Sequence, residues 1–169
     1  MLPPPPPEAA EVTIDDVTPS IGTRSMSGTA PRGHLIDVDV AIALIDPRHV
    51  HHDRAHRWFA SRGETPWFTC PLVQNGVVRV VSHPDYPNSP PAPVVVASLA
   101  AQPGHRFLPD SVSLLDGSVH TERLLASSQV TDTYLLHLAA SHDALLATFD
   151  ARIVTTAVPS GSDVVFVIP

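Results

Sequence analysis

No lysine occurs in this chain of 169 residues: all ten basic residues are arginine, set against 17 acidic ones, for a formal net charge of −7. That absence removes a Walker A lysine, a Schiff-base lysine and the phosphate-neutralising lysine of several acidic-site phosphotransfer folds. A single cysteine, Cys70, excludes an internal disulfide framework and any multi-cysteine zinc or iron–sulfur site within one chain. Apolar runs never approach the ~20 residues of a membrane span. Met1-Leu2 followed by Pro3 to Pro7 has neither the basic nor the apolar region of a secretory signal, so a cytoplasmic protein is expected. The acidic balance also lacks the basic patch by which an electrostatic nucleic-acid binder usually announces itself. What is present, 43% hydrophobic residues, suffices for one packed core.

Residues 1–33 hold seven of the nineteen prolines and no sustained period, and are expected to form a flexible leader outside a domain spanning 34–169. From His34 onward strands and helices alternate. His34 to Val38, Trp67 to Cys70, Arg106 to Leu108, Ala144 to Phe149 and Val164 to Ile168 read as apolar strands. Val40 to Ile45, Arg54 to Arg62, the segment opened by Pro71, Val94 to Ala101 and a segment capped by Ser128 carry helical spacing. Gly63 is placed to end the second helix, and five prolines between His83 and Pro93 demand a loop. Continuous apolar strands alternating with helices imply an α/β fold. The expected architecture has three layers: a central parallel sheet of about five strands, with helices on both faces.

In such a sheet functional groups gather at the carboxyl ends of the strands. Two of these strands end in acid, at Asp37 and Asp150, and Asp132 falls in the first turn of the Ser128-capped helix. Each placement alone is an ordinary home for Asp; the three together suggest converging carboxylates. Such a cluster repels itself and stays ionised only around a cation. Hard oxygen donors without a nearby thiolate favour Mg²⁺ or Mn²⁺, ions that activate water and neutralise charge on a phosphodiester.

Four blocks carry a resemblance: Leu35-Ile36-Asp37-Val38-Asp39-Val40, the helix start Cys70 to Val80, Val130 to Ala139, and Leu146-Ala147-Thr148-Phe149-Asp150. In this order they resemble the signature blocks of PIN-domain ribonucleases, most closely the VapC-type toxins of bacterial toxin–antitoxin pairs. The resemblance implies a metal-dependent endoribonuclease acting on RNA, a homodimer, and neutralisation by a cognate antitoxin. By position, Asp37, Asp132 and Asp150 match the family's catalytic and metal-binding Asp residues, and Asp39 stands where a supporting polar residue is common. Two positions depart from the pattern: the acid expected early in the third helix is Gln74, and an acid often found two residues after Asp150 is Arg152. A carboxylate at 74 would add negative charge to the metal cluster; Gln74, counted with the catalytic residues by its position, offers a neutral amide oxygen that can still ligate a metal or orient its water. Gln74 therefore also keeps alive a degenerate PIN domain that binds RNA or antitoxin without cutting.

Other features have rival readings. His49, His51, His52 and His56 cluster, and the His52–His56 spacing could bind a transition metal, though capping and packing fit better. Trp58 and Phe59 could stack RNA bases, but their helical spacing with Ala55 favours a core or dimer contact. Arg79 and Arg152 are candidates for holding phosphate. Asp37-Val38-Asp39 also resembles the nucleophile motif of haloacid-dehalogenase-type phosphatases, a reading the missing lysine disfavours.

Overall fold

The structure, a computed structural model, describes residues 32–87, 91–115, 117–124 and 126–169. Most of the expected leader lies outside the described residues. Arg32 and Gly33, on the leader side of the composition break, are held by the fold: the Arg32 guanidinium donates to the carbonyls of Asp163 (3.0 Å) and Ala144 (3.1 Å).

Five short strands form one sheet: β1 (His34–Ile36), β2 (Trp67–Thr69), β3 (His105–Phe107), β4 (Leu145–Thr148) and β5 (Val165–Val167). Their spatial order is β3-β2-β1-β4-β5 and every pairing is parallel. Between β1 and β2 run α1 (Val38–Ile45) and α2 (His52–Ser61); between β2 and β3 run α3 (Pro71–Val81) and α4 (Ala92–Ala100); α5 (Gln129–Ser141) precedes β4. Right-handed crossovers put α1 to α4 on one face, because the chain steps outward from β1 to β3. The return from β3 to β4 steps the other way, so α5 covers the opposite face, against β1 and β4. This is the three-layer arrangement that the alternating pattern implies, with Leu35, Ile36, Val73, Val77, Leu135, Leu136 and Leu146 fully buried between the layers.

Boundaries differ from the sequence expectation where a side chain intervenes. The first strand stops at Ile36 and α1 starts at Val38, because Asp37 takes the N-cap and accepts the Val38 N–H at 2.6 Å. Ser128 occupies the N-cap of α5, but its own backbone is already helical (φ −62°, ψ −24°) and its hydroxyl caps nothing. The Gln129 side-chain oxygen instead accepts the Ala126 N–H at 3.2 Å. Gly63 does adopt the left-handed conformation (φ +59°) that ends a helix cheaply.

Helices α1 and α3 touch at Gly76, where an added Cβ would stand 2.7 Å from Cγ2 of Val38. Val38 is β-branched and in the first turn after Asp37, so it has little room to give. Gly76→Ala is therefore expected to lower thermal stability by about 1 to 2 kcal/mol, although alanine is the better helix former by ~1 kcal/mol. A melting curve unchanged or raised by the substitution would show that α1 yields at this contact.

Candidate active site

Strand order reverses between β1 and β4, so the crevice at their carboxyl ends is where an open parallel sheet presents its ligand site. Asp37 follows β1 directly, and its N–H donates to the carbonyl of Ala147 on β4 at 3.0 Å. One carboxylate oxygen of Asp37 accepts from Val38; the other accepts the Thr148 hydroxyl at 3.1 Å. Thr148, fully buried at the end of β4, accepts in turn the N–H of Asp150 at 3.1 Å. One hydroxyl thus joins the two acids, reaching Asp37 across a sequence separation of 111 residues. In the sequence, Thr148 is marked only as the single polar residue of an otherwise apolar strand.

Asp132 comes from the other face of the sheet, in the first turn of α5. With Ser128, Gln129, Asp150, Arg152 and Ile153 it borders a pocket of about 360 Å³. The three carboxylates feel one another in a row. Burial, then the charge of Asp132, push the Asp37 carboxyl up to about 6, against the pull of its bonds from Val38 and Thr148. Burial, and then Asp150, push Asp132 up as well. Asp150 goes the other way: the Arg152 backbone N–H (2.8 Å) and guanidinium Nε (3.2 Å) both donate to its Oδ1 and hold its carboxyl below the usual range. Environment therefore pushes the carboxyls of Asp37 and Asp132 up and that of Asp150 down.

Asp39 and Gln74 are placed differently from the core of this row. The Asp39 side chain is 52% exposed and accepts from His49 Nε2 at 3.1 Å. It adds to the field that raises Asp37, but as a minor contribution. Gln74, expected to orient a metal or its water, spends its amide on Thr69, donating to the buried Oγ1 at 3.0 Å. That hydroxyl meets Nε2 of His105 at 2.8 Å, on a ring whose pKa burial lowers. The amide is thus the first donor of a chain that ties α3 to β2 and β3, a role a carboxylate could not fill in the same polarity. Gln74→Glu should reverse the chain, with His105 donating to Thr69 and Thr69 to the new carboxylate. Its expected signature is a rise in the His105 pKa, read by NMR titration; an unmoved His105 would place residue 74 outside the network.

The histidine cluster resolves into spent and free rings. His52 Nδ1 and His56 Nε2 lie 2.8 and 2.9 Å from the carbonyls of Ala43 and Leu44, bonds that tie α2 to the end of α1. Trp58 is buried, and Phe59 packs edge-on against Trp67 beneath the Arg62 guanidinium, so both serve the core. Cys70 is buried, with its thiol pKa pushed up by that burial. Arg79 sits in the last turn of α3, roughly 12 Å of helix rise from the carboxyl edge of the sheet, and so is far from the acids. Arg152 alone of the two candidate arginines adjoins them.

The donor set fits a hard cation in kind: carboxylate oxygens only, one of them costly to ionise unless positive charge is supplied. Among the described residues, however, no three His, Cys, Asp or Glu side chains close into a ready cage. The acids form a coupled row, with the outermost carboxylate held by an arginine.

The PIN domain family matches residues 35–159 of the chain. Ribonuclease VapC44 of Mycobacterium tuberculosis is 44% identical over 133 residues, covering 76% of this chain and 93% of that protein. Ribonuclease VapC38 of the same organism is 41% identical over 127 residues, covering 73% and 89%. In three dimensions the chain is similar to the crystal structure of M. tuberculosis VapC20, described as a Sarcin-Ricin loop cleaving toxin. The TM-score is 0.56 at 16% identity, over 75% of this chain and 97% of that one, a likeness of fold. By family match and by sequence identity, the chain belongs to the PIN-domain family, alongside the VapC ribonucleases.

Proposed function

We propose that this protein is a metal-dependent endoribonuclease, the toxin of a toxin–antitoxin pair, with Asp37, Asp132 and Asp150 as its catalytic and metal-binding acids. The observation that carries this reading is the row of coupled carboxylates at the point where the sheet order reverses, with Asp37 pushed up to about 6. Asp37, Asp132 and Asp150 would hold Mg²⁺ or Mn²⁺, which supplies an activated water and neutralises charge developing on the phosphodiester. The chain's own contribution is positional. Thr148 fixes the spacing of Asp37 and Asp150, while the α5 dipole favours charge on Asp132. Asp39, held by His49, borders the pocket on the other side of Asp150. Arg152 offers two terminal guanidinium nitrogens to a substrate phosphate.

The relatives' names support an RNA substrate and, by family, a cognate antitoxin and a homodimer. A net charge of −7 does not oppose this, since cleavage depends on local potential rather than the total. The test is a titration of RNA cleavage with Mg²⁺ and with Mn²⁺, each reversed by EDTA, in the intact chain and in Asp132→Asn. Cleavage that needs the metal and is lost in Asp132→Asn is the expected result. A second reading, a PIN domain that binds without cutting, is favoured by the engagement of Asp150 with Arg152 and of Gln74 with Thr69. Absence of cleavage at every metal concentration, with RNA or antitoxin still bound, would select it.

A further inference from the structure

Of the clustered histidines, His51 is the one whose ring nitrogens have no hydrogen-bond partner among the described residues. His49 is spent twice, Nδ1 accepting the His51 N–H at 3.2 Å and Nε2 meeting Asp39, while His52 and His56 are tied to carbonyls. The His51 ring lies against Phe149, centroids 4.5 Å apart and planes tilted by 35°. Both rings line a shallow pocket of about 430 Å³, completed by Asp39, Asp150, Ala151 and Arg152. Asp150 and Arg152 also border the pocket that contains Asp132, so they form the ridge between the two.

We infer that the His51–Phe149 pocket seats one unpaired nucleobase of RNA, next to the phosphate held over the acids. This rests on the ribonuclease reading and adds a specificity subsite to it. Three properties support it. An aromatic wall of one imidazole and one phenyl ring offers the π-surface on which a splayed-out base stacks. The free His51 nitrogens supply a donor and an acceptor for a base edge. The Arg152 side chain is 91% exposed and uses only its Nε on Asp150, so both terminal nitrogens can take a phosphate on the ridge.

The wall is also stiff. The Arg54 guanidinium lies 5.2 Å over the Phe149 ring and is itself fastened to the carbonyls of Ile168 and Pro169. Little side-chain freedom then remains to be lost on binding. Bases within a duplex are stacked on one another and cannot enter, so the occupant belongs to a single-stranded or loop segment.

The experiment compares two fluorescein-labelled probes of equal charge in EDTA, octa-adenylate and an abasic eight-nucleotide ribose-phosphate, binding to the full chain by anisotropy. The expected result is about a tenfold preference for octa-adenylate, the scale of one stacked base. Phe149→Leu combined with His51→Ala should remove most of that preference, and Phe149→Trp should keep it. Leucine preserves an apolar group packed on the core, and thermal melting of each variant checks the fold. Arg152→Gln should weaken both probes equally and reduce the salt slope by about one. A preference absent from the unaltered chain, or surviving in the Leu/Ala variant, overturns the subsite. Cleavage of RNA without base preference sinks the subsite alone; base preference without cleavage at any metal concentration sinks the ribonuclease reading alone.

Discussion

Asp37→Asn should make the metal-free protein more stable at neutral pH while abolishing cleavage. The folded protein raises this carboxyl from its ordinary value of 3.8 to about 6, so it binds the Asp37 proton more tightly than the unfolded chain does. The sign follows from linkage. Below about pH 4 both states carry the proton and the group costs nothing. As pH rises from 4 to 6 the unfolded chain releases its proton first, and stability falls. Above 6 the full cost is present. A rise from 3.8 to about 6 corresponds to about 3 kcal/mol, and solvent reaching the crevice reduces this to about 2 kcal/mol. Asparagine keeps the N-cap oxygen for Val38 but has no charge to desolvate. The variant should therefore melt about 5 °C higher at pH 7 and at the same temperature as the unaltered chain near pH 4. Melting curves across pH 4–8 in EDTA decide the matter; a gain that does not depend on pH would assign the effect to something other than Asp37 ionisation. Cleavage should fall by on the order of a hundredfold or more, because a charged donor is removed from the cation's seat.

Thr148→Val should damage the site from within the core. Valine matches threonine in shape, and the position is fully buried, so packing and strand preference are preserved. What disappears is one hydroxyl with two duties, donating to Asp37 and accepting from the Asp150 N–H. An orphaned N–H and a less well solvated carboxylate together should cost about 1 to 3 kcal/mol. Losing a bond to its charged form should also move the titration of Asp37 higher, so that the acid limb of the cleavage–pH profile shifts upward. Thr148→Ser restores both bonds and should restore the profile, which separates this positioning role from a packing defect. Identical profiles for the valine and serine variants would mean that the acids hold their places without Thr148.

Which parts of this protein were legible beforehand follows from the range of the forces involved. Apolar periodicity, proline and glycine punctuation and capping are local, so the strands, the helices, their order and the parallel sheet could be read from 34 onward without coordinates. The same local logic put Asp37 and Asp150 at strand ends and Asp132 in a first helical turn. Exact boundaries were decided by single side chains, as where Asp37 ends β1 by capping α1. The partners of each polar group were beyond reach, because they are chosen only when distant segments pair. Thr148 meets Asp37 across 111 residues only because β4 lies beside β1. Gln74 looked free to serve a metal until the neighbouring strands brought His105 to Thr69 and gave its amide an acceptor to satisfy. In sequence, nothing singles out His51 among the four clustered histidines. The packing of α2 against α1 ties up two of them, a third is held by Asp39, and His51 alone is left beside Phe149. Local pattern thus places the scaffold and its acids, whereas the neighbours of those acids, and the direction in which each carboxyl is pushed, arise from burial and long-range hydrogen bonds that exist only once the sheet has closed.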